Sequence, residues 1–230
     1  MNTLVSYHLD NGIATVQINN GKVNALSPDV WQQLEAALDR AEADKAVLII
    51  TGQPGILSGG YDLKVMMSGP QNALDLVAMG SSFTRRMLAH PYPVIVACTG
   101  HAIAKGAFLL LAADYRIAVD GDFKIGLNEV QIGMTMHDAG IVLARGRLTP
   151  AAFQRAVINA EMFTPQQARE AGFVDLVTTP ETLQETVLAV ATQLTQLNMA
   201  AHARTKLKVR ADTLAALDGA IENDRKYGLN

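Results

Sequence analysis

Residues 94–107 read Val94-Ile-Val-Ala-Cys-Thr-Gly-His-Ala-Ile-Ala-Lys-Gly-Ala107, a short apolar run that ends in Thr-Gly and leads through a second glycine into another apolar segment. The arrangement also occurs at residues 46–64, where Ala46-Val-Leu-Ile-Ile50 again ends in Thr-Gly before a glycine-bearing loop. Both runs are too continuous for a half-exposed strand, so each predicts a buried parallel strand. Strand-like runs at 115–119 and 173–177 follow helical stretches. This order indicates an α/β fold with parallel crossovers.

Turn and helix signals surround these runs. Alternating apolar residues between positions 4 and 18 flank Asp10-Asn11-Gly12, which predicts a β-hairpin because Asn-Gly supplies the positive φ of a tight turn. A capping residue followed by proline predicts helices that begin at Ser27-Pro28, Thr149-Pro150 and Thr164-Pro165.

Two regions are expected, a core over residues 1–178 and a helical C-terminal region over residues 179–230. From Glu181 onward the sequence is mostly helical. One apolar face of this region is either an assembly surface or ordinary packing onto the core. That face consists of Leu183, Val187, Val190 and Leu194.

Composition excludes several classes of protein. The 230 residues have a net charge of −3 and a pI near 5.9, which argues against nucleic acid as a partner. The longest apolar run, 107–113, is too short to span a membrane, and no secretory signal opens the chain. A single cysteine, Cys98, forbids an intrachain disulfide and suits the cytoplasm. Five scattered histidines without cysteine partners give no reason to expect a metal.

Two loops at strand ends have the residues to present free backbone amides. In Ser58-Gly59-Gly60-Tyr61-Asp62-Leu63-Lys64, two glycines allow a conformation that exposes the Tyr61 N–H. The loop from Gly100 runs into an apolar helix, whose first N–H groups have no intrahelical partner. Each loop alone is also compatible with a structural turn. Together they could form an oxyanion hole, which stabilises a carbonyl oxygen as it becomes negative.

These motifs, in this order, resemble the enoyl-CoA hydratase/isomerase (crotonase) superfamily. The resemblance rests on Asn24-Ala25-Leu26, Thr51-Gly52, residues 58–64, Gly100-His-Ala, Ala113-Asp114, residues 123–133 and residues 168–175. It implies a spiral of β-β-α units, a homotrimer or dimer of trimers, and an acyl-CoA substrate that brings coenzyme A as part of its thioester, with no permanently bound cofactor. It also implies a further C-terminal helix beyond residue 228, so the C-terminal region is shortened relative to the family.

The resemblance assigns roles residue by residue. The oxyanion-hole amides match Tyr61 and Lys105, so Tyr61 would place a phenol at the mouth of the hole. Basic residues for coenzyme A phosphates match Lys22 and Lys64. Further substrate contacts are expected from Gly60, Asp62, Leu63, Ala104 and Phe108.

The main departure from the family is Phe108, because hydratases carry a catalytic glutamate there. Glu129 matches their second glutamate. A single carboxylate can remove a proton beside the thioester carbonyl and return it two carbons along, so double-bond isomerisation is favoured. Neighbouring apolar residues would raise the pKa of Glu129 toward the working pH by desolvation. His137 and Asp138 are candidates for a second acid or for orienting water.

Three alternatives stay open from the sequence. The first is a hydratase that uses Glu129 with His137 or Asp138. The second is a catalytically degenerate member that binds acyl-CoA or only scaffolds an assembly. The third is a serine hydrolase built on Ser58 and His101, which the sequence favours least because no acid is clearly paired with them.

Overall fold

The computed structural model describes residues 3–228, which form two β-sheets and surrounding helices. The larger sheet has the order β1-β2-β3-β5-β7-β10, antiparallel between β1 and β2 and parallel thereafter. Its strands are β1 Val5–Asp10, β2 Ile13–Ile18, β3 Val47–Thr51, β5 Val94–Cys98, β7 Tyr115–Val119 and β10 Leu176–Thr178. The smaller sheet has the order β4-β6-β8-β9. Its strands are β4 Gly55–Ser58, β6 Gly100–Ile103, β8 Ile125–Gly126 and β9 Met162–Phe163.

Ten α-helices and one 3-10 turn lie within the described residues. The helices of the core are α1 Pro28–Ala43, α2 Leu63–Met66, α3 Pro70–Ala89, α4 Lys105–Ala112, α5 Asp138–Arg145, α6 Pro150–Ile158 and α7 Pro165–Ala171. Those of the C-terminal region are α8 Leu183–Thr195, α9 Met199–Val209 and α10 Ala211–Tyr227, and the 3-10 turn is Val130–Ile132.

Successive strands alternate between the two sheets. β3, β5 and β7 enter the larger sheet, and each is followed at once by a strand of the smaller sheet, β4, β6 or β8. Helices return the chain after each pair, as α2 and α3 do after β4 and α4 does after β6. The result is the predicted spiral of β-β-α units. It stacks the turns at the ends of β4, β6 and β8 beside one another, and the candidate site lies there.

Most expected elements occur where the sequence predicts them. The hairpin pairs Asp10 with Ile13, and the three capped helices begin at Pro28, Pro150 and Pro165. The strand expected at 173–177 is wrong in its start, because β10 begins at Leu176. Gly172, with φ +100°, ends α7, and the Phe173 N–H donates to the carbonyl of Ala168 at 2.8 Å. These residues therefore belong to the helix end.

The C-terminal helices pack against the rest of the described chain. Val187 and Ala191 of α8 are buried against apolar residues of the larger sheet, with Leu183, Val190 and Leu194 packed beside them. This face therefore shows ordinary core packing, one of its two predicted roles. α10 packs on α3 and α5. The outer ends of the two predicted regions, residues 1–2 and 229–230, lie outside the described residues. No helix within residues 3–228 is long and apolar enough to cross a membrane.

Candidate active site

The loop after β4 is held by a buried asparagine and serine. Asn24 donates to the carbonyls of Ile18 and Leu57 at 3.0 and 2.7 Å, which fixes the segment that precedes α1. The Ser58 hydroxyl donates to the Asn24 carbonyl at 2.8 Å and accepts from the Gly60 N–H at 3.0 Å. The loop is therefore rigid on the side that faces residues 24–26.

The same contacts turn the Tyr61 amide toward the opposite side. Leu26 and Tyr61 form an isolated parallel bridge, in which the Leu26 N–H donates to Gly60 and its carbonyl accepts from Asp62. In such a bridge the N–H of the middle residue points away from the partner segment. Among the described residues, no acceptor binds the Tyr61 N–H.

The second loop connects β6 to α4. Ala104 precedes the helix with φ +51° and ψ −121°, a conformation that favours glycine, and its N–H donates to Gly126 in β8 at 2.9 Å. Lys105 is then the first helical residue, so its N–H has no intrahelical acceptor. No other acceptor within residues 3–228 binds it.

The two loops touch. A Cβ added to Gly60 would lie 3.1 Å from the Ala104 Cβ and 3.5 Å from the Lys105 nitrogen. Only glycine, with φ +101°, allows this approach. The structure thus brings the Tyr61 and Lys105 amides, unbonded, to one place, as an oxyanion hole requires.

A cavity of about 140 Å³ opens beside this loop contact. It contains five of the predicted site residues, namely Tyr61, Leu63, Ala104, Glu129 and His137. Its other lining residues are Gly59, Met66, Val77, Asn128, Ile132, Met134 and Thr135. The sequence favoured no specific role for these seven: Met66 was expected in the core or the acyl-pocket lining, Asn128 adjoins the predicted base, and Gly59 belongs to the quoted glycine pair. Val77 comes from α3, which carries no motif.

Glu129 immediately precedes the 3-10 turn, and the Met134 N–H donates to its carbonyl at 2.9 Å. Its side chain is buried, and its Oε2 has no hydrogen-bond partner among the described residues. Burial raises the pKa of this carboxyl to about 7, because the charged form loses its hydration. A buried carboxylate with a free oxygen beside a cavity is suited to accept a proton from a ligand.

His137 and Asp138 are neighbours in sequence but differ in burial and in distance from the cavity. His137 is buried at the cavity with Nε2 unbonded, and burial lowers its pKa to about 3, so the imidazole is neutral. Asp138 is an exposed residue at the start of α5, outside the cavity lining. The predicted catalytic role for Asp138 therefore finds no support, because the residue is exposed and does not line the cavity. Asp224 of α10, which sequence reasoning missed, accepts from the Asp138 and Ala139 N–H groups at 2.8 and 3.0 Å.

Phe108 and Lys105 lie behind the cavity lining, whereas Tyr61 is part of it. Phe108 is fully buried and packs edge-on against His137, with ring centroids 5.4 Å apart, so it supports the site without lining the cavity. The Lys105 side chain also runs into the core. The Tyr61 phenol turns toward α3, where it donates to the Val77 carbonyl at 3.3 Å. The hydroxyl is thus held toward α3, and the expected place of the phenol at the mouth of the hole stays a prediction.

The remaining predicted binding residues lie at the surface. Lys22 and Lys64 are exposed and do not line the cavity. Asp62 caps α2 by accepting from the Lys64 N–H at 2.9 Å. No group of three or more His, Cys, Asp or Glu side chains in the described part of the chain could hold a metal ion.

Ser58 and His101 do not form a nucleophile and base. The Ser58 hydroxyl is buried and donates its proton to Asn24. His101 accepts from the Lys124 N–H through Nδ1 at 3.0 Å and packs edge-on against Phe123. The serine hydrolase alternative therefore lacks the hydrogen bond between nucleophile and base that it requires.

Comparisons with known proteins identify the family and the fold. The family model described as Enoyl-CoA hydratase/isomerase matches residues 8–227. A solved enoyl-CoA hydratase/isomerase family protein from Pseudomonas syringae is 65% identical with a TM-score of 0.97, covering 99% of this chain and 98% of that one. A solved mycobacterial protein described as the Mtb enoyl-CoA isomerase is 42% identical with a TM-score of 0.92, covering 97% and 98%. The human mitochondrial enoyl-CoA delta isomerase 1 is 28% identical over 221 residues, 92% of this chain and 73% of that protein.

Proposed function

Because the chain belongs to the enoyl-CoA hydratase/isomerase family, we propose that it moves the double bond of an enoyl-CoA thioester, with Glu129 as the base. The observation that carries the proposal is the buried, unbonded Glu129 carboxylate on the same small cavity as the contact between the two amide-bearing loops. Phe108 at the position of the family's other glutamate leaves one carboxylate for the chemistry.

The proposed reaction needs two proton transfers by one group. Glu129 removes a proton from C2 of a 3-enoyl thioester, and the electron pair moves to the carbonyl oxygen to give a dienolate. The Tyr61 and Lys105 N–H groups donate to that oxygen while its charge develops. Glu129 then returns the proton to C4, which yields the conjugated 2-enoyl thioester and restores the carboxylate.

Replacing the base tests this assignment. Glu129→Gln keeps the size of the side chain and removes its basicity, so conversion of 3-enoyl-CoA to 2-enoyl-CoA should fall by about 10²–10⁴-fold. The rate is followed by absorbance of the conjugated enoyl thioester. Glu170→Gln is the control, because Glu170 is an exposed glutamate outside the cavity lining and its replacement should leave the rate unchanged. Full activity of Glu129→Gln would refute the proposal.

Hydration is the second candidate, favoured by the unbonded His137 Nε2 on the same cavity. A neutral imidazole could orient a water molecule toward a conjugated thioester beside Glu129. Crotonyl-CoA distinguishes the two reactions, because hydration removes its conjugation. If crotonyl-CoA loses conjugation at a rate that Glu129→Gln abolishes, hydration is the activity. If the thioester binds without any turnover, the chain is a degenerate acyl-CoA-binding member.

We also propose an oligomeric state and a cellular compartment. The chain would act as a homotrimer or dimer of trimers in the cytoplasm, on an acyl-CoA that carries its own coenzyme A. Light scattering after size exclusion tests the assembly, which should have three or six times the 24.6 kDa of one chain. A monomeric mass would contradict it.

A further inference from the structure

The side chain of Lys105 is placed where lysine is rarely found. It has no solvent exposure, and its Nζ forms one hydrogen bond, to Thr84 Oγ1 at 3.3 Å. Three rings surround the nitrogen, with centroids at 6.0, 5.9 and 5.6 Å in Trp31, Tyr61 and Phe108. Within residues 3–228 the nitrogen forms no direct ion pair. Fully buried lysines are almost always paired, so this arrangement needs an explanation.

Helix α3 is built to accept this side chain. Gly80 lies inside α3, where a Cβ would be 2.8 Å from the Lys105 Cε and 2.4 Å from the Tyr61 hydroxyl. Glycine inside a helix costs about 1 kcal/mol relative to alanine. Thr84, one turn later, supplies the hydroxyl that accepts from the ammonium. The niche for the lysine thus exists at some cost to the helix that forms it.

A second buried lysine, Lys206, is directly paired with a carboxylate, as buried lysines usually are. The Lys206 Nζ lies 2.5 Å from the Asp114 carboxylate and donates to the Tyr92 carbonyl at 3.1 Å. Lys105 is instead separated from the cavity by the Tyr61 ring, whose centroid lies 5.9 Å from its Nζ and which lines the cavity together with Glu129. The negative charges of Glu129 and Asp224 favour its ammonium form from there. Charges in a protein interior are screened less than in water, so such interactions act without direct contact.

We propose that the Lys105 ammonium is a positioning residue that acts through Glu129, keeping that carboxyl ionised as the base beside the thioester. Lys105 would thus serve the reaction twice, through its amide at the carbonyl oxygen and through its buried charge at the base. This inference rests on the proposed function only in calling Glu129 the base, because the coupling between the two charges exists without substrate.

The physical argument is that both groups lose hydration in the same interior. Desolvation lowers the pKa of Lys105 to about 7 and raises that of Glu129 to about 7, and each charge opposes the other group's shift. Neutralising one therefore favours neutrality of the other. The other groups near this pair are Asp224 on α10, held by the first N–H groups of α5, and His137, which stays neutral. The Tyr61 phenol stays protonated, because burial raises its pKa.

The test is a titration of Glu129 in the ligand-free protein. Lys105→Met keeps the backbone amide and the length of the side chain, and removes the charge. The carboxyl of Glu129, assigned by its disappearance in Glu129→Gln, is followed by ¹³C NMR or by its infrared band. Its midpoint should rise by about one pH unit, the lower end of the effect of a nearby opposite charge. The acid limb of kcat/KM for isomerisation should move upward by the same amount.

Two further variants separate this role from a structural one. Lys206→Met also removes a buried lysine, but one that pairs with Asp114 and not with a charge at the cavity, so it should leave the Glu129 midpoint in place. Thr84→Val keeps Lys105 and removes the hydroxyl that accepts from its ammonium, so the midpoint should rise by a smaller amount. An unchanged midpoint in both Lys105→Met and Thr84→Val would overturn the inference. A moved midpoint in a protein that does not isomerise enoyl thioesters would uphold the coupling and refute the proposed function.

Discussion

The Glu129 carboxyl has an unbonded oxygen as well as the raised pKa that the sequence led us to expect. It is buried with one oxygen unbonded, and its pKa is raised to about 7 by desolvation. A base with a pKa near the working pH combines a useful fraction of carboxylate with a strong tendency to accept a proton. The neutral His137 beside it does not titrate near neutrality, because its pKa is lowered to about 3.

The pH dependence of the reaction follows from this shift. The proposed base is the Glu129 carboxylate, so kcat/KM for the proposed isomerisation should be constant above about pH 8 and fall below pH 7 with a limiting slope of tenfold per unit. Steady-state rates between pH 5.5 and 9 check this. A limb centred near 4.5, the ordinary value for glutamate, would show that the carboxyl is solvated in solution.

Residue identity allowed part of this site to be predicted. The glycine pair before Tyr61 was sufficient to predict one free amide, because backbone geometry is set locally. A second free amide was expected at the start of the following helix, and its assignment to Lys105 came from the family resemblance. The direction of the Lys105 side chain was not predictable, because it depends on the space left by Gly80 in an element without a motif. The role of Asp224 was equally hidden, since it binds N–H groups 85 and 86 residues away in the sequence.

Helix α5 depends on a cap from another helix. His137 precedes it without a capping hydrogen bond from its side chain, and the Asp224 carboxylate of α10 accepts from the first two helical N–H groups instead. A carboxylate at this end also interacts favourably with the helix dipole. The C-terminal helix thereby holds the segment that carries His137 to the cavity.

Removing this cap should loosen the site as well as the fold. Asp224→Asn replaces one of the two accepting oxygens with a donor, so the free energy of unfolding should fall by about 1–3 kcal/mol. KM should rise more than kcat falls, because α5 positions the cavity wall and not the base. Denaturant unfolding and steady-state kinetics measure the two effects.

Asp218→Asn is the matched control on the same helix. Asp218 forms an exposed ion pair with Arg85 at 2.8 Å, which is worth less than about 1 kcal/mol. An equal loss of stability in both variants would mean that the cap contributes nothing beyond an ordinary surface contact.

The architecture of the whole chain was more predictable than the details of its site. Buried runs that end in Thr-Gly specify parallel strands, and right-handed crossovers then leave few ways to connect them. The division into two sheets was accessible only through the family resemblance, because strands as short as Ile125–Gly126 leave no periodic signal. The predicted start of β10 was wrong for a related reason, because buried apolar residues at the end of a helix have the same pattern as a short strand.

Binding of acyl-CoA should stabilise the whole chain in proportion to the apolar surface that the acyl group buries. The cavity of about 140 Å³ is bordered by Leu63, Met66, Val77 and Ile132, so each added methylene should contribute up to about 0.8 kcal/mol until the space is filled. A thioester at a hundred times its Kd adds about 2.7 kcal/mol, or roughly 5–10 °C in Tm for a chain of this size. Thermal unfolding of Glu129→Gln with acyl-CoA thioesters of increasing length measures this without turnover. Free coenzyme A is the control, since it lacks the group that enters the cavity. If coenzyme A and every thioester leave the Tm unchanged, the chain does not bind acyl-CoA, which favours the scaffolding alternative.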